Sequence, residues 1–148
     1  MQLTLAKAED HHRALALFKY AYEDMGRTID DARLEAGLSA ILSGQTQAAV
    51  YLIGPANAPV GIMNVCFGFN LPQNNMMATI DVIYIRNAVR QRGLGSWAIS
   101  TLMQTLKQHG VSEVRLNGST TDPVIAKLAQ AAGLKPMAFG GGFASRVW

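Results

Sequence analysis

Polar and apolar residues alternate over Gln2-Leu3-Thr4-Leu5-Ala6-Lys7, the period-two pattern of a half-buried strand. Helical spacing then takes over. Ala14, Leu17, Phe18, Ala21 and Met25 make one stripe, with Glu9 and Asp10 in the expected first turn, where a helix dipole favours acids. Gly26 supplies a stop. Asp30 or Asp31 can cap a second helix with the stripe Leu34, Leu38, Ile41 and Leu42, closed by Gly44. The period then shortens again. Residues 49–53 read as a strand, Gly54-Pro55-Ala56-Asn57 as a turn, and 60–69 as a second strand interrupted by glycines. Residues 71–75 read as a turn and 77–85 as a third strand. Short turns between these three predict an antiparallel meander. A helix follows from Gly93 to His109, with Leu94, Trp97, Ala98, Leu102, Thr105 and Leu106 on one side, and Gly110 ends it. Residues 111–116 form a strand. Asp122-Pro123 opens a helix that runs to about Ala132, with Gly133 beyond it. Leu134 to Phe139 and Phe143 to Trp148 close the chain as strands around Gly140-Gly141-Gly142. The order β-α-α-β-β-β-α-β-α-β-β predicts a mixed sheet covered by helices, an α+β domain spanning residues 1–148.

Composition narrows this picture. The 148 residues, 49% hydrophobic and only 16% charged, suit one domain with one core and argue against disorder. No apolar run approaches the roughly 20 residues that cross a bilayer. The stretch Met1 to Leu5 lacks the basic and then apolar pattern of a secretory signal. Cys66, the one cysteine, has no internal disulfide partner, so a reducing, cytoplasmic setting is expected. A net charge of +3 and a pI near 9.2 suit an anionic ligand. With no Lys/Arg cluster they do not point to nucleic acid.

The segment Arg90-Gln91-Arg92-Gly93-Leu94-Gly95-Ser96 lies between a strand and a helix. The first amides of a helix have no intrahelical acceptor and sit at the positive end of its dipole, which makes an anion site. Gly93 and Gly95 would let a phosphate approach the backbone, Arg90 and Arg92 add charge, and Ser96 offers a hydroxyl. The bland alternative is a glycine-containing loop with two solvated arginines. Gly93-Leu94-Gly95-Ser96-Trp97-Ala98 also spells G-x-G-x-x-A, the dinucleotide fingerprint, with Glu113 near the spacing of its acidic partner. That fingerprint expects a strand leading straight into the first glycine of a βαβ unit. Here a gap precedes Gly93, and a meander precedes the gap.

These residues resemble the GNAT superfamily of N-acetyltransferases, whose signature R/Q-x-x-G-x-G/A follows the fourth strand. Arg90-Gln91-Arg92-Gly93-Leu94-Gly95 follows Asp81-Val82-Ile83-Tyr84-Ile85, and Ile83-Tyr84-Ile85 is similar to the family's L-Y-V strand end. The resemblance implies a mixed, mostly antiparallel sheet of about seven strands flanked by four helices. It implies that Arg90, Gln91, Arg92, Gly93, Leu94, Gly95 and Ser96 hold the pyrophosphate of acetyl-CoA, a co-substrate. It also implies that the pantetheine arm pairs with backbone at Ile83, Tyr84 and Ile85 where two strands splay, and that a backbone amide there polarises the thioester carbonyl. In the helix beginning at Pro123, Leu128, Gly133 and Leu134 fit the family pattern. Asp122 stands where the family often has Asn and is counted with the coenzyme-binding set. Ala129 stands where many members carry the tyrosine that protonates the departing thiolate. A free thiol has a pKa near 8.5, so its thiolate leaves tolerably without full protonation.

Acyl transfer to an amine requires the amine neutral, which a carboxylate or a water chain can arrange. Asp81 is the first candidate base. Alternation in its apolar strand predicts the face shared by Ile83 and Ile85 and partial desolvation, while a structural ion pair is the competing role. Tyr84, on the opposite face, is a candidate proton donor or a half-buried packing residue. His11 and His12 are expected to be solvated, His109 to suit a helix C-terminus, and Cys66 to be a small buried apolar residue. No spacing suggests a metal site. Glu23, Asp24, Asp30 and Asp31 form an acidic stretch that would attract a cationic amine, unless Asp30 and Asp31 serve only as helix caps. The expected function is transfer of an acetyl group to a primary amine of a small molecule or peptide. The alternative is a non-catalytic acyl-CoA sensor on the same fold. No nucleic-acid or membrane partner is expected. The closing strand 143–148 offers an edge for a homodimer.

Overall fold

The structure, a computed structural model, describes residues 1–118 and 123–135. Strand β1 (Leu3–Leu5) leads through a single 3-10 turn (Ala8–Asp10) into helix α1 (His11–Asp24), and α2 (Asp31–Leu42) follows. The meander is β2 (Ala48–Ile53), β3 (Gly61–Asn70) and β4 (Asn75–Ile85). A second 3-10 turn (Asn87–Val89) precedes α3 (Leu94–Lys107), then β5 (Val111–Leu116) and α4 (Pro123–Ala131). The sheet order is β1-β2-β3-β4-β5, antiparallel throughout except for the parallel β4–β5 pair. The architecture is thus the expected mixed, mostly antiparallel α+β sheet with four helices, with five strands rather than seven among the described residues. The remaining two predicted strands, the Gly140-Gly141-Gly142 run and Asp122 lie outside the described residues, while Leu134 and Lys135 are described and belong to no strand.

Each face of the sheet carries its own core. On one, Ile53, Met63, Val65, Ala78 and Ile80 pack with Ala98, Ile99, Leu102 and Leu106 of α3, and Leu128 of α4 joins them. On the other, Val50, Leu52, Ile62 and Val82 meet Ala14, Leu17, Phe18 and Ala21 of α1 and Leu38 of α2. Most of the α1 stripe is buried as periodicity predicts. Met25 is not, because it caps the helix C-terminus and is exposed. Glu9 and Asp10 fall in the 3-10 turn ahead of α1 rather than in its first turn, and the Asp10 carboxylate accepts from the Lys7 amide at 2.9 Å. Asp30 is the α2 cap, its carboxylate accepting from the Ala32 amide at 3.0 Å.

One irregularity positions everything that follows. Asn64 pairs with Val82 and Val65 with Ile80, which leaves Asp81 without a partner on β3, in a β-bulge. The bulge shifts the phase of side-chain alternation. Ala78 and Ile80 face α3, and so do Ile83 and Ile85, whereas Val82 and Tyr84 face α1.

Candidate active site

Strand β5 accompanies β4 only as far as Ile80, which pairs with Leu116, and the Asn117 amide adds a bond to the Ile80 carbonyl at 2.9 Å. Beyond that point β4 continues to Ile85 with no strand on that side among the described residues. The Arg86 amide donates to the carbonyl of Val60, just ahead of β3, so alternation turns the main-chain groups of Ile83 and Ile85 toward the open edge. Those of Tyr84, which pairs with Ile62, turn toward β3. Of the three residues expected to pair with an extended ligand arm, two therefore turn their backbone to the open edge, the Ile85 carbonyl there being taken by Arg90. Tyr84 contributes its side chain instead, packed on the α1 face beneath the Arg90 guanidinium at 5.4 Å from the ring centre.

The open edge leads to the start of α3. Gly93 is the N-cap, left-handed at φ 75, and no side chain caps the helix. The amides of Leu94, Gly95 and Ser96 open the first turn, and the first intrahelical bond runs from the Trp97 amide to the Gly93 carbonyl at 3.0 Å. A Cβ built on Gly93 meets nothing within 4 Å, so the space in front of these amides is open. Gln91 is also left-handed, at φ 63, and Arg92 is exposed. Uncapped amides, an open approach and a basic neighbour fit a diphosphate. The signature residues divide their work differently from expectation. A Cβ on Gly95 would lie 2.8 Å from Leu128 Cδ1, so this glycine serves the close packing of α3 on α4. Ser96 Oγ donates to the Gly93 carbonyl at 3.2 Å. Arg90 Nε donates to the Ile85 carbonyl at 2.7 Å, and its Nη2 pairs with Asp24 at 2.9 Å. Arg90 thus ties the end of β4 to the end of α1 and neutralises the carboxylate facing it.

Asp81 differs from its expected placement. The bulge turns it to the α1 face, away from Ile83 and Ile85, and it is exposed rather than desolvated. Its Oδ1 accepts from Asn117 Nδ2 at 3.0 Å, a bond across the point where β4 and β5 part. Tyr22 of α1 packs against the same side of the sheet. Its ring stacks on Phe18 at 6.4 Å between centroids and lies 5.3 Å beneath the Arg27 guanidinium. Burial first, and the nearby Asp81 charge second, raise the Tyr22 phenol above its ordinary 10.0, with Arg27 opposing. Cys66 on β3 completes the group. It is exposed, not buried as expected, although the walls around its sulfur, and then the Asp81 charge, raise the thiol above 9.0. The Asn64 side-chain oxygen, one pair along β3, is buried with no hydrogen-bond partner. Sequence reading did not single out Tyr22, Asn64 or Asn117, because no local spacing links α1, β3 and the end of β5.

The remaining candidates have structural roles. His11 is not free in solvent: its Nε2 lies 3.0 Å from Ser39 Oγ and joins α1 to α2. His109 Nδ1 lies 2.9 Å from the Thr105 carbonyl, just beyond the end of α3. Within the acidic stretch Asp24 pairs closely with Arg90 at 2.9 Å, while Asp30 with Arg33 and Asp31 with Lys19 make only exposed contacts at 4.0 Å. Glu113, the acid of the dinucleotide alternative, pairs with Arg115 at 2.6 Å near the start of β5, and the antiparallel meander excludes a doubly wound sheet. No group of three or more potential metal ligands occurs among the described residues. No helix among them is long and apolar enough to cross a membrane. Two surface concavities lie elsewhere, one against α3 and β5 at Met103 and Val111, the other at His12, Arg13 and Arg86.

No protein-family description matches the chain, and no curated protein matches it. Solved structures do. A probable acetyltransferase superposes with a TM-score of 0.87 over 100% of this chain and 99% of its own, at 16% identity. A GNAT family acetyltransferase from Staphylococcus aureus gives 0.68 over 82% and 89%, at 19% identity. An aminoglycoside N-acetyltransferase, AAC(6')-Iy, solved in complex with CoA, gives 0.75 over 90% and 87%, at 16% identity. At such identities the likeness establishes the fold, which is that of the GNAT acetyltransferases.

Proposed function

We propose that this chain is an acyl-CoA-dependent N-acetyltransferase that moves an acetyl group from acetyl-CoA to a primary amine of a small molecule or peptide. The observation that carries the reading is the free edge of β4. It begins opposite the bulged Asp81, where β5 leaves it, and ends at the uncapped first turn of α3. An extended thioester laid along this edge would place its diphosphate against the amides of Leu94, Gly95 and Ser96. Its arm would lie beside the backbone of Ile83 and Ile85, and its acyl group near the bulge. An edge amide donating to the thioester oxygen would stabilise the charge that develops as the amine attacks. Asp81, exposed and held by Asn117, is the base that would take the amine proton directly or through water. Most of the rate would come from positioning both reactants, with the thiolate as a tolerable leaving group. A soluble setting in the cytoplasm and action as a single domain accompany this reading.

The test is a calorimetric titration with acetyl-CoA, followed by thiol release measured against a mixed panel of amines. Saturable binding and amine-dependent thiol release are expected. Binding without release across the whole panel would replace the enzyme with an acyl-CoA sensor. Affinity for NAD in place of CoA would overturn both.

A further inference from the structure

Strand β3 places a polar side chain where packing calls for hydrocarbon. Asn64 stands between Val50 of β2 and Val82 of β4 in a single cross-strand row, and both valines are buried in the α1-side core. Its chain neighbours Met63 and Val65 belong to the other core, so alternation puts Asn64 on the α1 side. There its side-chain oxygen is buried and meets no hydrogen-bond donor among the described residues. An amide oxygen left so costs stability, because its bonds to water are lost and not replaced. An apolar residue at this place would match the row and carry no such cost. One local rule broken in an otherwise consistent strand points to function rather than to folding.

Resting on the acetyltransferase reading, we propose that Asn64 is a specificity-determining residue for the acceptor, its side-chain oxygen accepting a hydrogen bond from an N–H of the incoming amine beside Asp81.

The placement comes from the register of the sheet. Val82, the partner of Asn64, directly follows Asp81, and the bulge turns Asp81 to this same face. Asn117 holds the Asp81 carboxylate at 3.0 Å at the point where β5 leaves β4. Two oxygen acceptors, one charged and one neutral, therefore occupy neighbouring positions on adjacent strands, at the end of the free edge where the acyl group would lie. Asn64 is partly exposed, so the missing donor can come from outside the fold. A primary amine is the donor that fits. As an ammonium it carries several N–H groups, so it can give a proton to Asp81 and still bond to Asn64. An alcohol has one O–H, and once that goes to the base nothing is left for Asn64. The pair of acceptors thus favours an amine over a hydroxyl. The other oxygen without a partner, on Asn75, lies at the hairpin end of β4, away from the free edge.

Asn64→Leu has the same branching and no polar atom, and Asn64→Val repeats the change with less bulk. Both should unfold at a higher urea midpoint than wild type, because the orphaned oxygen is gone. With spermidine, benzylamine and a lysine-containing peptide as acceptors, the KM of each amine that the wild type acetylates should rise about ten-fold. The Kd for acetyl-CoA should stay within about two-fold. A role confined to packing predicts no change in the amine KM. An amine KM within about two-fold of wild type overturns the assignment and leaves the transferase reading intact. So does a lower urea midpoint in both variants, which would show that the oxygen is satisfied inside the fold. Wild-type protein that binds acetyl-CoA and acetylates none of the three amines overturns the assignment together with the catalytic reading.

Discussion

At the residue scale, two glycines that look alike in the signature do different things. Gly93 is left-handed with open space around its missing Cβ, whereas Gly95 is a contact surface for Leu128. Gly93→Ala and Gly93→Glu therefore share a backbone cost of about 1–2 kcal/mol. Only Glu places a negative charge before the α3 amides. The Ala variant should still bind acetyl-CoA, and the Glu variant should lose about ten-fold or more in affinity while remaining folded by circular dichroism. Equal affinities would remove the first turn of α3 as the diphosphate site. Asp81→Asn makes a second contrast. An asparagine can still accept from Asn117, so the crossing at the bulge survives while the base is lost. Turnover should drop by roughly 100-fold with coenzyme affinity retained, read by thiol release and calorimetry on the same preparation. A parallel loss of binding would instead mark Asp81 as structural. The signature glycines and Asp81 were legible in the sequence as residues. Their division of labour was not, because it depends on which distant side chain fills the adjoining space.

At the scale of elements, periodicity located every described helix and strand, since each buries one stripe or one face. All four helices are followed by left-handed glycines, Gly26, Gly44, Gly110 and Gly133, so their ends were as readable as their faces. The bulge was not. Beyond Asp81, residues 82–85 are apolar on both faces, and an extra residue ahead of such a run leaves no trace. Asp81 therefore appeared on the wrong side of β4, and Cys66, expected to be buried, was not connected with it. The end of β4 is held at two points: Arg90 grips the Ile85 carbonyl, and Gly61 lies directly against the Tyr84 carbonyl. A Cβ at Gly61 would sit 2.5 Å from that oxygen and 2.7 Å from Ile85 Cδ1. Backbone cannot swing aside as a side-chain tip can. Gly61→Ala should cost about 1–3 kcal/mol in urea unfolding and disturb the free edge. Gly95→Ala should be near neutral, because Leu128 can rotate away and alanine gains roughly 1 kcal/mol over glycine inside a helix. The opposite ranking of the two variants would mean that the β3–β4 register is wrong.

Across the whole molecule, the groups with displaced titration set a pH window for stability. On the acid side, the hydrogen bond from Arg115 holds Glu113 below its ordinary 4.5. Folding is favoured by this group above that value, and the contribution disappears as pH falls through the lowered one. Glu113 is partly exposed, so the effect is small and screened by salt. On the alkaline side, Tyr22 and Tyr51 lie above 10.0, both chiefly through burial, and Cys66 lies above 9.0. A raised acid binds its proton more tightly in the folded chain. Its contribution is complete below the ordinary value and is lost as pH climbs through the raised one. The two faces of the sheet contribute separately, Tyr51 from the α3 side and Tyr22 with Cys66 from the α1 side. The midpoint of urea unfolding should hold steady through neutral pH and decline above about pH 9. Tyr51→Phe should make that decline shallower, since the ring stays packed between β2 and α3 with nothing left to ionise. An unchanged slope in Tyr51→Phe would mean that this tyrosine is not enclosed by the α3-side core, and the assignment of the two cores to opposite faces of the sheet would fall with it.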